Sequence, residues 1–204
     1  LQDPHEAIAS HQELLAYLPE RYDSFAALSR LFEQVEQWSE LVQSLESLLS
    51  NTELEDDSRL GHLTKLADTF YQHLERYDEL LIVCDDLLKL SSQDAQAISY
   101  LEHLVQLEEY KGEAARLLSP VYAQVGQLEH QIYTLQILAE VQDEETTSGL
   151  SQKVDYLHQV ARLYLEAGAA QESYDTYQQA LFTDPTSSLS LKSLTEIVAT
   201  SQSW

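Results

Sequence analysis

The sequence holds 204 residues, with 35 acidic against 11 basic side chains and a formal charge of −24. Nucleic acid and anionic membrane surfaces are disfavoured as partners, because affinity for them comes mainly from Lys and Arg neutralising phosphates. A basic partner would be steered inward, although the same acids also serve simply to keep a helical surface soluble.

No apolar run approaches the roughly 20 residues that span a bilayer, so membrane insertion is not expected. The lone Cys84 excludes an internal disulfide and a multi-cysteine metal site. It falls on an apolar helix face, where a buried, inert thiol is expected. The sequence has no methionine, and Leu1-Gln2-Asp3-Pro4 carries neither a basic region nor an apolar signal core. It therefore reads as a segment of a longer protein. The compartment stays open, with the cytoplasm favoured over the periplasm.

Asp3-Pro4 opens the first helix with an N-cap and a proline in the first turn. Ala7, His11, Leu14-Leu15 and Pro19 line it, and Ser173, Tyr177, Ala180-Leu181 and Pro185 repeat their spacing at one constant displacement. From Tyr22 a helix pair begins. Leu28-Ser29 and Phe32 put a bulky, a small and an aromatic side chain on one face of its first helix, and Trp38, Leu41, Leu45 and Leu48-Leu49 carry the second. The linker 51–58 is strongly acidic, but it lacks the Asp-x-Asp-x-Asp-Gly order of a calcium loop and reads as a solvated connection.

Residues 59–74 form a longer first helix with Leu66-Ala67 and Phe70 in the three slots. Its partner, lined by Leu80, Cys84 and Leu87-Leu88, arrives one residue late, which a one-residue insertion in the turn would absorb. Ser91-Ser92-Gln93-Asp94 restarts the cycle. Ala97, Leu101, Leu104 and Val105 line the next helix, followed after Tyr110-Lys111-Gly112 by one with Ala114-Ala115, Leu118 and Val121-Tyr122. Pro120 either kinks that helix by freeing the carbonyl of Arg116 or opens a fresh start with Ser119; the kink is preferred.

The interval from Leu101 to the matching Leu194 is longer than that from Leu28 to Leu101. The excess is about one helix and its connection. Residues 127–141 supply it, so 112–126 would serve as second helix to the one before it and first helix to the one after it. After a second acidic loop at 142–148 comes the stretch 154–187. Val160-Ala161 and Tyr164 fill the three slots there, Gly168 turns the chain, and Asp184-Pro185 closes the second helix. Leu191, Leu194 and Val198 begin one more helix. Trp204 repeats Trp38 at the displacement that relates Ser173 to Ala7.

The stretch 154–187, with its bulky-small-aromatic face, glycine turn and closing proline, resembles one unit of the tetratricopeptide repeat (TPR) family in length and pattern. The likeness extends over nearly the whole chain, strongest at 154–187, good at 22–50 and degenerate elsewhere. The run LFEQVEQWSELVQSLESLL also resembles units of very long bacterial TPR arrays. The resemblance implies an all-α fold, a right-handed α-solenoid of antiparallel helix pairs with about eleven helices. Its units would be 1–20 (a second helix alone), 22–50, 57–90, 94–125, 127–141 (the extra helix), 150–185 and 187–204 (incomplete), in a single array over 1–204.

In such arrays first helices line a concave face that binds peptides or partner helices. The resemblance therefore implies a non-enzymatic scaffold with a protein or peptide partner; a passive spacer and a regulatory arm of a larger enzyme or transcription regulator are the alternatives. The groove slots hold Ala26 and Arg30, Lys65 and Asp68, Ser99 and His103, and His158 and Arg162. They lack the asparagine of the family's carboxylate clamp, which makes recognition of chaperone tails unexpected. The candidate binding residues are Arg30, Lys65, Asp68, Tyr71, Gln72, Tyr100, His103, His158 and Arg162. Tyr100 is read either as exposed to ligand or as packed against a neighbouring repeat.

No catalytic residue, metal site or cofactor is expected. The five glycines form no phosphate loop, and none of the seven histidines pairs at helical metal-ligand spacing. No nucleophile elbow marks a Ser-His-Asp triad.

Overall fold

Helix after helix runs along the computed structural model, which describes residues 3–19, 21–51 and 53–201, with only the backbone of Asn51 and Ser201. The described residues form eleven α-helices and no strand: α1 (Pro4–Tyr17), α2 (Tyr22–Gln34), α3 (Trp38–Asn51), α4 (Asp56–Thr69), α5 (Tyr77–Leu90), α6 (Ala95–Leu104), α7 (Lys111–Val125), α8 (Leu128–Glu140), α9 (Thr147–Glu166), α10 (Ala170–Thr183) and α11 (Ser188–Ser201). Trp204 lies outside the described residues. No described helix is long and apolar enough to cross a membrane.

The chain divides into two compact units, Leu1–Tyr100 and Leu101–Trp204. Within each, helices adjacent in sequence pack against one another: α1 through α5 in the first, α7 through α11 in the second. Short turns make these neighbours antiparallel, and their apolar faces build the core. In the first unit Leu28, Phe32, Leu41, Leu45, Leu48, Leu66, Phe70, Leu80, Cys84 and Leu87 are almost wholly buried. In the second, Leu118, Tyr122, Leu135, Leu138, Leu157, Val160, Ala161, Tyr177 and Ala180 are.

Small residues let paired helices approach. Ser173 Oγ donates to the carbonyl of Ala161 at 2.7 Å, satisfying a buried hydroxyl between α9 and α10. Ser44 Oγ donates to the carbonyl of Phe25 at 3.3 Å, one turn further from the connection, between α3 and α2.

Four turns share one geometry. Each holds a residue in the left-handed region: Glu36 (φ 57°), Glu75 (φ 52°), Gly126 (φ 70°) and Gly168 (φ 76°). The next amide reaches back to the carbonyl of the aromatic slot, Gln37 to Phe32, Arg76 to Phe70, Gln127 to Tyr122 and Ala169 to Tyr164, at 2.8–3.2 Å. This closes the orphan carbonyls at each helix end. These turns join α2 to α3, α4 to α5, α7 to α8 and α9 to α10.

The turns join α7 to α8, whereas the expected units took 94–125 as a pair and 127–141 as an extra helix, with 112–126 serving both sides. Leu118-Ser119, Tyr122 and Gly126 in α7 stand in the same relation as Val160-Ala161, Tyr164 and Gly168, the pattern of a first helix.

The late partner at α5 has a different cause from the expected turn insertion. Phe70–Leu74 is π-helical, a single wide turn at the end of α4. A π turn accommodates one extra residue inside the helix, so Arg76 lies six residues from Phe70 where the other three turns span five. The insertion sits in the helix, and the turn keeps its form. The wide turn brings His73 flat against Trp38 of α3, ring centroids 3.6 Å apart.

Pro120 sits inside an uninterrupted α7, which excludes a fresh start at Ser119. Pro120 and Arg116 are both solvent-exposed, so the carbonyl freed by the missing N–H can turn to water.

Candidate functional site

The first helices of the first unit are linked by polar contacts at a constant interval. Lys65 Nζ of α4 pairs with Glu33 Oε2 of α2 at 2.5 Å. Thirty-two residues separate them, as they do Asp68 and Tyr100. The hydroxyl of Tyr100 donates to Asp68 Oδ1, which also accepts from the side-chain amide of Gln96. Gln96 in turn donates to the Tyr100 oxygen at 2.9 Å.

Tyr71 packs its ring on Tyr100 at 4.5 Å. Tyr100 is therefore 7% exposed. Of its two expected roles, ligand-facing or packed against a neighbour, the structure has the packed one, between α4 and α6. Burial, then the bond to Asp68, pushes its pKa up to about 12.

Arg30 and Gln72 stay open on this face, both exposed. Arg30 has no ion pair among the described residues, in contrast to Lys65. The turn register puts Arg30 of α2 and Asp68 of α4 at the same slot, six residues before the left-handed residue once the π turn is allowed for.

In the second unit His158 of α9 is 7% exposed. Its Nε2 lies 2.8 Å from Ser190 Oγ of α11, again at the same interval, and 3.4 Å from Ser187 Oγ. Ser190 Oγ donates to Ser187 Oγ at 2.9 Å, so the imidazole anchors the first turn of α11. Burial lowers the His158 pKa and the nearby Arg162 adds to this, while Asp155 and Asp184 pull the other way.

His158 is thus a packing residue between first helices, and the expectation of a groove-facing ring is corrected accordingly. Arg162, one turn further along α9, is exposed and makes no ion pair among the described residues. His103 is exposed at the end of α6.

The nine candidates fall into two groups. Lys65, Asp68, Tyr71, Tyr100 and His158 link α2 to α4, α4 to α6 and α9 to α11. Arg30, Gln72, His103 and Arg162 are exposed. Sequence reading missed Glu33, Gln96 and Ser190, the partners of the first group; for Glu33 and Ser190 the signal was a complementary polar residue at the same interval of 32. Among the described residues no group of three or more His, Cys, Asp or Glu side chains could hold a metal ion.

No family model and no curated protein matches the sequence. Solved structures do. The chain is similar to a tetratricopeptide repeat protein from Parabacteroides merdae, at 10% identity over 96% of this chain and 78% of that one, with a TM-score of 0.41. TTC0263, a TPR protein of Thermus thermophilus, is 17% identical over 94% and 89%, TM-score 0.35. YrrB, a TPR protein with an unusual peptide-binding site, is 15% identical over 93% and 82%, TM-score 0.35.

The protein is TPR-like. The helix pairs, the bulky-small-aromatic face and the four matching turns carry that statement on their own. Within a TPR-like array the exposed group, Arg30, Gln72, His103 and Arg162, stands on first helices or, for His103, on α6.

Proposed function

We propose that this protein is a non-enzymatic interaction scaffold whose first-helix faces bind a peptide or partner helix. The observation that carries this reading is the state of Arg30 and Arg162. In a chain with 35 acids and 11 bases, most cationic side chains are tied up in ion pairs. Arg30 and Arg162 occupy the same slot of α2 and α9, are exposed, and have no ion pair among the described residues. A guanidinium left free offers a planar, forked donor to a carboxylate or a backbone carbonyl of a ligand.

Each unit presents its own face, Arg30 with Gln72 in the first and Arg162 with His103 in the second. The remaining candidates, Lys65, Asp68, Tyr71, Tyr100 and His158, serve this face by fixing the spacing of the helices that bear it. The formal charge of −24 favours a partner that is basic overall while offering an acceptor to each arginine. A protein or peptide fits that description and nucleic acid does not.

The test screens the full chain against a displayed random-peptide library and measures selected peptides by calorimetry on Arg30→Ala, Arg162→Ala and the double variant. Binders weakened by one or both substitutions support the scaffold reading. Affinity unchanged in all three variants sinks the assignment of the face, and a library that returns no binder favours a spacer.

A further inference from the structure

A cleft of about 470 Å³ opens in the first unit between α3, α4 and α5, and it contains none of the nine candidate residues. Its floor is Leu63 and Leu66 of α4, and its walls are Leu49 of α3 with Val83, Ile82 and Leu90 of α5. Ile82 is 64% exposed and Leu90 38%, on a helix whose opposite face is fully buried. Such a volume, mainly apolar with a few polar groups at its edge, is within the range of ligand-binding sites.

The lining has a direction. On α5 it recurs at Ile82-Val83, Asp86 and Lys89-Leu90, and on α4 at Arg59, Leu63 and Leu66. Both are one helical stripe two turns long, about 10 Å at the rise of an α-helix. Two carboxylates, Glu46 and Asp86, and two cations, Arg59 and Lys89, line the rim, and the cations are unequal. Lys89 Nζ is held between Asp85 and Asp86 at 2.8 and 3.0 Å. Arg59, half-buried at the end of the α4 stripe, has no ion pair among the described residues. A partly desolvated, unpaired guanidinium beside apolar surface gains from a carboxylate that arrives with the ligand.

We infer that this cleft is a second docking site, taken by an amphipathic helix of a partner protein that seats two apolar side chains, about two turns apart, on Leu63, Leu66 and Ile82 and directs a carboxylate to Arg59. This occupant matches the cleft in length and periodicity, and in charge at the unpaired Arg59, away from Glu46 and Asp86; a helix laid on a groove between helices obeys ordinary packing geometry. The inference does not rest on the first-helix faces and survives their failure.

The experiment uses the full chain and a synthetic, helix-stapled, amidated peptide with leucines one and two turns apart, a glutamate between them, and glutamine and alanine elsewhere. Binding is followed by fluorescence anisotropy and located by nuclear magnetic resonance. Saturable binding that perturbs α3–α5 amides is expected, weakened about tenfold or more, some 1.4 kcal/mol, by Ile82→Glu, a substitution the exposed site tolerates.

Arg59→Gln weakens the glutamate peptide but leaves its glutamine analogue unchanged, and Arg30→Ala leaves both unchanged. Absence of binding, equal affinity for a lysine analogue, or indifference to Ile82→Glu and Arg59→Gln overturns the inference. So does concentration-dependent self-association abolished by Ile82→Glu, which would assign the cleft to a second copy of the chain.

Discussion

The amide of Arg76 donates to the carbonyl of Phe70 at 3.2 Å across six residues, where the three equivalent turns span five. The extra residue is confined to the π turn Phe70–Leu74, so the helices on either side keep their common register. Deleting Gln72, which is exposed, should convert the segment to regular α-helix and leave a folded protein. Removing one exposed residue should cost about 1 kcal/mol or less, a melting shift of no more than about 2–4 °C. Deleting Leu163 from α9, which has no such turn, rotates Tyr164 out of register and should lower the melting temperature by about 10 °C or more. Calorimetry on both variants makes the comparison; equal damage would show that the π turn is not where the repeat absorbs its extra residue.

Two of the four left-handed turn positions are glutamates, Glu36 and Glu75, whose side chains are exposed. A left-handed non-glycine residue costs about 1–2 kcal/mol, partly offset in a glycine variant by greater freedom of the unfolded chain. Glu36→Gly and Glu75→Gly should therefore each stabilise by about 0.5–1 kcal/mol. At Gly168 a Cβ meets nothing within 4 Å, so Gly168→Ala measures the backbone cost alone and should destabilise by about 1 kcal/mol. Urea midpoints at unchanged slope give all three values.

His158 contributes an acid sensitivity to the second unit near neutral pH. Its folded pKa is lowered by burial, with Arg162 contributing, so protonation favours the unfolded chain. The stability it supplies is complete above its unfolded value of about 6.5 and is lost as pH falls through the lower folded value. The stability of the wild type should fall between pH 7 and pH 5, and His158→Gln should flatten that slope. A slope unchanged in the variant would place the sensitivity elsewhere.

Tyr100 gives the opposite sign in the first unit. Its folded pKa is raised to about 12 by burial and by Asp68, so its contribution is complete below the ordinary value near 10 and is lost as pH rises towards 12. Spectrophotometric titration should show late-ionising tyrosines, Tyr122 among them because burial and Glu102 also raise its pKa, with one fewer in Tyr100→Phe. The same variant leaves Asp68 with Gln96 alone and should cost about 1 kcal/mol at neutral pH.

The helix order and the inward faces are legible in the sequence because apolar side chains recur at helical spacing. Leu28-Ser29 and Phe32, Leu66-Ala67 and Phe70, and Val160-Ala161 and Tyr164 all lie in the core or at its edge. The same triad in α7, Leu118-Ser119 and Tyr122, is masked because Pro120 intervenes and because α7 also comes after α6 as a partner would. Gly126, four residues after Tyr122 as Gly168 is after Tyr164, is the signal that reveals it. The one-residue excess before α5 is visible, but a count cannot tell a turn insertion from a π turn. The fates of Tyr100 and His158 depend on Asp68 and Ser190, each a repeat length away, and no periodicity within one helix reports such partners.

Cys84 is wholly enclosed in the first unit, and burial pushes its thiol up to about 12. Only the thiolate reacts with alkylating reagents, so in the native protein this sulfur is silent at neutral pH. Because it is the sole thiol in the chain and belongs to the first unit, any alkylation timestamps an opening of that half of the molecule. A surface cysteine introduced anywhere else would take a fluorophore selectively, with the native sulfur left in place as an internal clock.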